Sequence, residues 1–234
     1  TYWGDQPFVE APAYIGVVVF FLFVFSVFLY RGNHRGWLLA SIIVSLLLSF
    51  GKNFSLLTDL FIDYFPIYDK FRAVSSIQVI LELCIPIFAV LGLSKLISQE
   101  VQYKSKLRAL NYTAVLFISI LSTLFLFKGY FSYSGVSDQY MDDSIVEALI
   151  SDRQNIFIDQ LKRTLFFISI AYLIIFLYLK SKFSKQLMIV AFCIVICYDL
   201  ISFSKNYVNE ENFVDPVFVE NPFNKDDVYQ SIAQ

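Results

Sequence analysis

The chain has few charged residues, three cysteines and a single histidine. Lys and Arg number 18 and Asp and Glu 20, so charged residues make up 16% and the net charge is −2. This balance argues against a nucleic-acid partner, which would need a basic surface of clustered Lys and Arg. The cysteines lie in apolar stretches, where thiols act as small hydrophobic side chains. Because His34 is the single histidine of the chain and could add only one further ligand of the zinc type, we expect no metal site.

Sequence motifs for common cofactors and nucleophiles are also missing. There is no phosphate-binding glycine loop, no dinucleotide fingerprint and no nucleophile elbow, so we expect no cofactor. The chain begins at Thr1 without a positively charged segment ahead of an apolar one. We therefore expect no signal peptide and interpret the sequence as a piece of a longer protein.

Apolar residues dominate what is present. They make up 57% of the chain, aromatic residues 18%, and the mean hydropathy is +0.62, whereas soluble domains are roughly 45–50% apolar. A bilayer core about 30 Å thick needs about 20 apolar residues per helix. The sequence predicts an all-α, polytopic transmembrane helix bundle over residues 1–203, followed at 204–234 by the strand-rich start of a truncated extracytoplasmic domain. About six spans are expected, at residues 12–30, 37–50, 74–97, 107–127, 161–179 and 187–203.

The distribution of basic residues predicts the orientation of these spans. Loops on one side carry nine Lys and Arg and a single acid, Glu100, and cytoplasmic loops are rich in Lys and Arg. The opposite loops and both ends of the chain are acidic and are therefore expected outside. The nine basic residues are Arg31, Arg35, Lys95, Lys104, Lys106, Arg108, Lys180, Lys182 and Lys185.

Two of the expected outer loops contain helical patterns. Ser55 is a candidate N-cap for a short amphipathic helix that lies in the membrane interface and ends before Pro66. Residues 143–162 have apolar side chains at helical spacing and continue into the fifth span without a helix breaker. On that helix Asp159 and Arg163 are four residues apart and can pair.

Two acidic residues lie within predicted spans. Glu82 is about two turns inside the third span, with Gln78 one turn earlier on the same face. An unpaired ionisable group at that depth costs about 2.5 kcal/mol or more, so Glu82 is a functional candidate. The alternative is a hydrogen bond to a neighbouring helix. Asp199, near the outer end of the sixth span, has the same two interpretations.

A basic cluster is predicted at the outer ends of the second and third spans. Lys52, Lys70 and Arg72 fall where positive charge is otherwise scarce. Arg offers a planar fork that matches phosphate oxygens and Lys offers a point charge, so the cluster fits a lipid phosphate or pyrophosphate. The alternative is that these side chains reach to lipid headgroups and pair with Asp69.

Several segments resemble the YfhO family of bacterial membrane proteins. They are Tyr-Trp-Gly-Asp-Gln-Pro-Phe at residues 2–8, Ser-Phe-Gly-Lys-Asn-Phe at 49–54, and Lys-Phe-Arg-Ala-Val-Ser at 70–75. The similarity extends over essentially the whole chain, and Phe-Arg-Ala-Val-Ser is its most specific part.

The resemblance implies a GT-C-like glycosyltransferase in the bacterial cytoplasmic (inner) membrane. Such an enzyme moves a sugar from a polyprenyl-phosphate donor to an acceptor on the outer face. In that class the catalytic acid lies in the first outer loop, which we expect upstream of Thr1, so the catalytic residue is unknown here. Substrate binding would then fall to Lys52, Tyr68, Lys70, Arg72 and Glu82.

Two other classes of function stay open at this point. A transporter or flippase would use Glu82 and Asp199 as a polar path through the bundle. A non-catalytic membrane scaffold would use the tail to bind a partner.

Overall fold

The computed structural model describes residues 13–66, 68–70, 74–208 and 213. Within these ranges the regular secondary structure is helical throughout, which confirms the predicted all-α class. Short 3₁₀ turns connect several of the α-helices. The seven α-helices of the described ranges are α1 Val17–Leu29, α2 Arg35–Ser49, α3 Ser55–Tyr64, α4 Gln78–Ile97, α5 Tyr103–Leu126, α6 Asp143–Leu179 and α7 Lys185–Ser204.

Six of these helices correspond to the six predicted spans, and four are long and apolar enough to cross a membrane. The four are α4, α5, α6 and α7. The apolar helices α1 and α2 have only 13 and 15 residues, fewer than the roughly 20 that a span needs. The first predicted span began at Pro12, but the helix begins at Val17 because Gly16 has φ +93°, a left-handed conformation that cannot belong to a right-handed helix.

Successive apolar helices run in opposite directions. Tyr14, before α1, donates a hydrogen bond to Asp199 near the end of α7, so these two points lie at one end of the bundle. Near the other end, Phe28 of α1 contacts Tyr112 of α5 with ring centroids 5.9 Å apart, and Lys95 lies in the last turn of α4. We call the end with Tyr14 and Asp199 the acidic end, and the end with Lys95 and Tyr112 the basic end.

Helix α1 lies at the centre of the bundle. Its side chains Phe21, Leu22 and Phe25 are buried, and it packs against α4, α5 and α6. Helix α1 approaches α4 closely at Ser26, whose hydroxyl donates to the carbonyls of Leu22, at 2.7 Å, and of Ala89, at 3.3 Å. Gly92 makes this possible, because a Cβ there would lie 2.8 Å from the Cα of Ser26. Small residues commonly permit such close packing between membrane helices.

Two helices of the predicted outer loops are present. Helix α6 runs without interruption from Asp143 to Leu179, a length of roughly 55 Å, which confirms that residues 143–162 continue into the fifth span. About 30 Å of this helix precedes Arg163. Helix α3 is also present and ends before Pro66, but Ser55 is its first helical residue and makes no side-chain cap.

The chain forms two compact units, residues 1–200 and residues 201–234. In the second unit the described residues complete α7 as far as Ser204 and then turn, with the Asn206 N–H donating to the Phe203 carbonyl at 3.1 Å. The strand-rich segment predicted at residues 204–234 lies outside the described residues, apart from residues 204–208 and 213, of which Ser204 ends α7.

Candidate functional site

The predicted basic cluster falls on the connection between α2 and α4. Lys52 lies in the 3₁₀ turn Gly51–Phe54, and Lys70 lies in the turn Tyr68–Lys70 with an exposed side chain. Arg72 and the side chain of Lys52 lie outside what the structure describes. Glu82, in the second turn of α4, is exposed on the helix surface. The structure thus places the backbones of Lys52 and Lys70 at the acidic end, with Glu82 further along α4.

This connection is folded through one buried hydroxyl and a group of aromatic rings. Thr58 is 5% exposed, and its hydroxyl donates to the carbonyl of Gly51 at 3.0 Å. On α3, Phe61 stacks on Phe65 with centroids 4.5 Å apart, and it contacts Tyr68 edge-on at 5.4 Å. Burial raises the pKa of the Tyr68 hydroxyl, so this group stays protonated at neutral pH.

The other surface of α3 is apolar and exposed. Leu56 is 79% exposed and Leu60 49%, while Tyr64 is 80% exposed. A short helix with exposed leucines and a tyrosine at its end matches the amphipathic type that lies in a membrane interface. The acidic end therefore has an apolar surface next to the turns that contain Lys52 and Lys70.

A second polar cluster at the acidic end is centred on Asp199. Its side chain is fully buried, and Oδ1 accepts hydrogen bonds from the Tyr14 hydroxyl at 2.6 Å and from Arg163 Nη2 at 2.8 Å. Oδ2 accepts from the backbone N–H of Val18 at 3.2 Å. The Val18 N–H belongs to the first turn of α1, where helices have donors without intrahelical partners and favour negative charge. A single carboxylate thus joins α1, α6 and α7.

The neighbourhood of Asp199 is built for this ion pair. Arg163 Nη2 also donates to the Asp199 carbonyl at 2.8 Å, and its guanidinium lies 5.2 Å from the Phe167 ring centroid. A Cβ on Gly16 would lie 3.2 Å from Asp199 Oδ2, so a glycine at this position leaves room for the carboxylate. These contacts provide Asp199 with the pairing that a buried charge requires.

The pairing of the charges on α6 differs from the simplest sequence expectation. The carboxylate of Asp159 forms an ion pair with Lys162 at 2.8 Å, while Arg163 reaches Asp199, 36 residues away. Tyr14 was not singled out from the sequence. The available signal was a tyrosine at the start of the first apolar stretch, at the end of that stretch that was predicted to lie outside.

A third cluster, absent from the sequence expectations, holds the connection between α5 and α6. Arg153 and Asp138 are 3% and 7% exposed and form a two-point ion pair at 2.6 and 2.9 Å. The backbone N–H of Gly135 also donates to Asp138 at 2.6 Å. Hydrogen bonds from the Arg153 guanidinium and, with a smaller effect, from the Gly135 N–H lower the pKa of the Asp138 carboxyl. Arg153 also donates to the Tyr133 carbonyl at 2.8 Å, so it fixes the loop onto α6.

None of these clusters has the composition of a metal site. Among the described residues, no group of three or more His, Cys, Asp or Glu side chains is arranged to hold a metal ion. The Asp199 cluster and the Asp138 cluster each combine one carboxylate with one guanidinium, an arrangement that fixes helices and loops.

Comparisons with known proteins add no relative to this picture. No family model matches the chain, and neither the curated proteins nor the solved structures give a significant match.

Proposed function

We propose that this chain is the donor-binding membrane part of a GT-C-like glycosyltransferase of the YfhO type. It would bind a polyprenyl-phosphate sugar at the acidic end of the bundle, on the outer face of a bacterial cytoplasmic membrane. The main support is the folded connection at residues 51–70, which holds the turns of Lys52 and Lys70 beside an exposed apolar helix. The resemblance of residues 49–54 and 70–75 to that family adds to it.

The proposed ligand has a phosphate and a long apolar chain, and the acidic end offers a surface for each. Positive charge from Lys52, Lys70 and Arg72 neutralises the phosphate as it becomes the leaving group, which lowers the barrier to transfer. The protonated hydroxyl of Tyr68 adds a hydrogen-bond donor. Leu56 and Leu60 of α3 are exposed and provide an apolar surface for isoprenoid units. We assign donor binding to these residues and no proton transfer.

The transport alternative receives less support from the geometry. Asp199 accepts hydrogen bonds from Tyr14, Val18 and Arg163, so its charge serves to join helices. Glu82 is exposed on α4. A transport path would instead need ionisable groups that line a continuous route through the bundle.

Binding of polyprenyl phosphate to the intact protein in lipid nanodiscs tests the proposal. The variant Lys70→Gln/Arg72→Ala should bind at least tenfold more weakly, since a hydrogen bond to a charged group contributes about 1.5–3 kcal/mol. Sugar transfer should fall as well, with expression unchanged. Lys128→Gln is a single-charge control, because Lys128 lies at the same end but covers the Phe125 ring at 4.6 Å. Equal binding by wild type and the double variant would refute the phosphate assignment.

A further inference from the structure

The bundle also contains a cavity at the basic end, away from the proposed donor site. It measures about 700 Å³ and lies between the end of α1, the end of α4 and the first turns of α5. Cavities of roughly 300–1,000 Å³ accommodate small ligands. Along α4, about 25 Å of helix separates Gln78 from Lys95. The cavity is therefore independent of the connection at residues 51–70.

Positive charge is in excess around this cavity. Arg31, Lys95 and Arg108 line it together with one acid, Glu100. Lys95 pairs with Glu100 at 2.8 Å. Within the part of the chain that the structure describes, neither Arg31 nor Arg108 has a carboxylate within ion-pair distance. Two guanidinium groups from different segments thus border one cavity without a carboxylate to neutralise them.

Membrane topology alone does not explain this convergence. Cytoplasmic ends of spans collect Lys and Arg in general, and the exposed Lys104, Lys182 and Lys185 at the same end are consistent with that rule. None of these three lysines lines the cavity, whereas Arg31 and Arg108 do. A pair of guanidinium forks around a shared space is the arrangement that binds phosphate oxygens bidentately.

The remaining walls are apolar, with a few polar groups. Phe28 and Leu29 of α1 and Ala109 of α5 line one part, and Gln102 and Ser105 provide polar side chains. A ligand that fits these walls has an anionic group and an adjoining apolar part. Basic pockets between helices at the cytoplasmic side commonly bind lipid phosphate groups in this way.

We propose that this cavity binds a phosphate-bearing anion between Arg31 and Arg108. Two sources share that chemistry, the headgroup of an anionic phospholipid and a soluble phosphate compound. The apolar walls favour the phospholipid.

The test compares wild type with Arg31→Gln/Arg108→Gln in the intact protein. One arm measures phosphatidylglycerol retained by protein from nanodiscs of phosphatidylglycerol and phosphatidylcholine, by native mass spectrometry. The other arm titrates pyrophosphate into detergent-solubilised protein. In the arm that corresponds to the true ligand, the variant should bind about thirtyfold more weakly, because each cation near the membrane surface contributes about 1 kcal/mol, a factor of about five. Lys182→Gln/Lys185→Gln removes the same charge at the same end and should bind as wild type does.

Each result has a defined meaning. If the arginine variant loses phosphatidylglycerol and the lysine variant does not, the result supports a lipid ligand. If the arginine variant loses only its binding of pyrophosphate, the result supports a soluble ligand. Equal binding by wild type and the arginine variant in both arms overturns the site. Equal losses in the arginine and lysine variants also overturn it, because they indicate nonspecific attraction by charge. Arg31 and Arg108 are exposed, so folding should survive, and Arg31→Lys/Arg108→Lys should retain part of the binding.

Discussion

Substitution Asp199→Asn should weaken the attachment of α7 to the rest of the bundle. The amide keeps the size of the carboxylate but loses its charge. In the amide, an NH₂ donor replaces one of the two carboxylate oxygens. This NH₂ group then faces other donors, either those of Tyr14 and Arg163 or the Val18 N–H. Only Met188, Phe192 and Asp199 are buried along α7. Few other contacts therefore compensate for the loss.

The expected loss is about 3 kcal/mol in the free energy of unfolding. Removal of one partner from a buried ion pair costs about 3–5 kcal/mol, and we take the lower end because the Arg163 side chain is 21% exposed. For a chain of this size that corresponds to a fall of about 6–12 °C in Tm. Thermal unfolding of the purified protein in detergent, followed by circular dichroism, measures it.

Two further variants separate the ion pair from a general effect of mutation. Asp159→Asn removes an exposed ion pair on α6 and should change stability by at most about 1 kcal/mol. Asp199→Leu/Arg163→Met removes both charges of the pair and should be more stable than Asp199→Asn, since apolar replacement of a buried pair is often neutral. For a chain of this size, a change of 1 kcal/mol in the free energy of unfolding shifts Tm by roughly 2–4 °C. A Tm for Asp199→Asn within 2 °C of the wild-type Tm would therefore refute the reasoning.

Two further predictions concern helix packing and the loop between α5 and α6. Gly92→Ala forces a Cβ against Ser26 and should lower Tm by about 4–8 °C, the equivalent of about 2 kcal/mol of overpacking. Adding Ser26→Gly to this variant should restore part of the loss. An unchanged Tm for Gly92→Ala would contradict the close approach of α1 and α4. Because the folded-state pKa of Asp138 is lowered, its contribution is present above the unfolded carboxyl pKa of about 3.9 and is lost as the pH falls through the folded value. Hydrogen exchange of residues 128–140, corrected for intrinsic rates, should therefore show constant protection from pH 7 to about 5 and less below about 4, whereas Asp138→Asn should give weak protection without this pH dependence.

The sequence by itself determined the local properties of this protein. Apolar runs long enough for helices, the glycine and proline residues that end them, and the uninterrupted pattern from Asp143 to Leu179 are readable along the chain, because a helix forms from neighbours three and four residues apart. The alternate placement of Lys and Arg likewise predicted that successive spans run in opposite directions, in agreement with the contacts of Tyr14 with Asp199 and of Phe28 with Tyr112.

Only the tertiary structure decided which polar groups meet. Asp199 lies 185 residues from Tyr14 and 36 from Arg163, and no local spacing encodes such distances. The face that a helix presents to its neighbour depends on individual contacts such as that of Ser26 with Gly92. A hydropathy profile does not contain this information. For the same reason Arg31 and Arg108 looked like ordinary cytoplasmic charges in the sequence. Packing of α1 against α4 and α5 places them around one cavity.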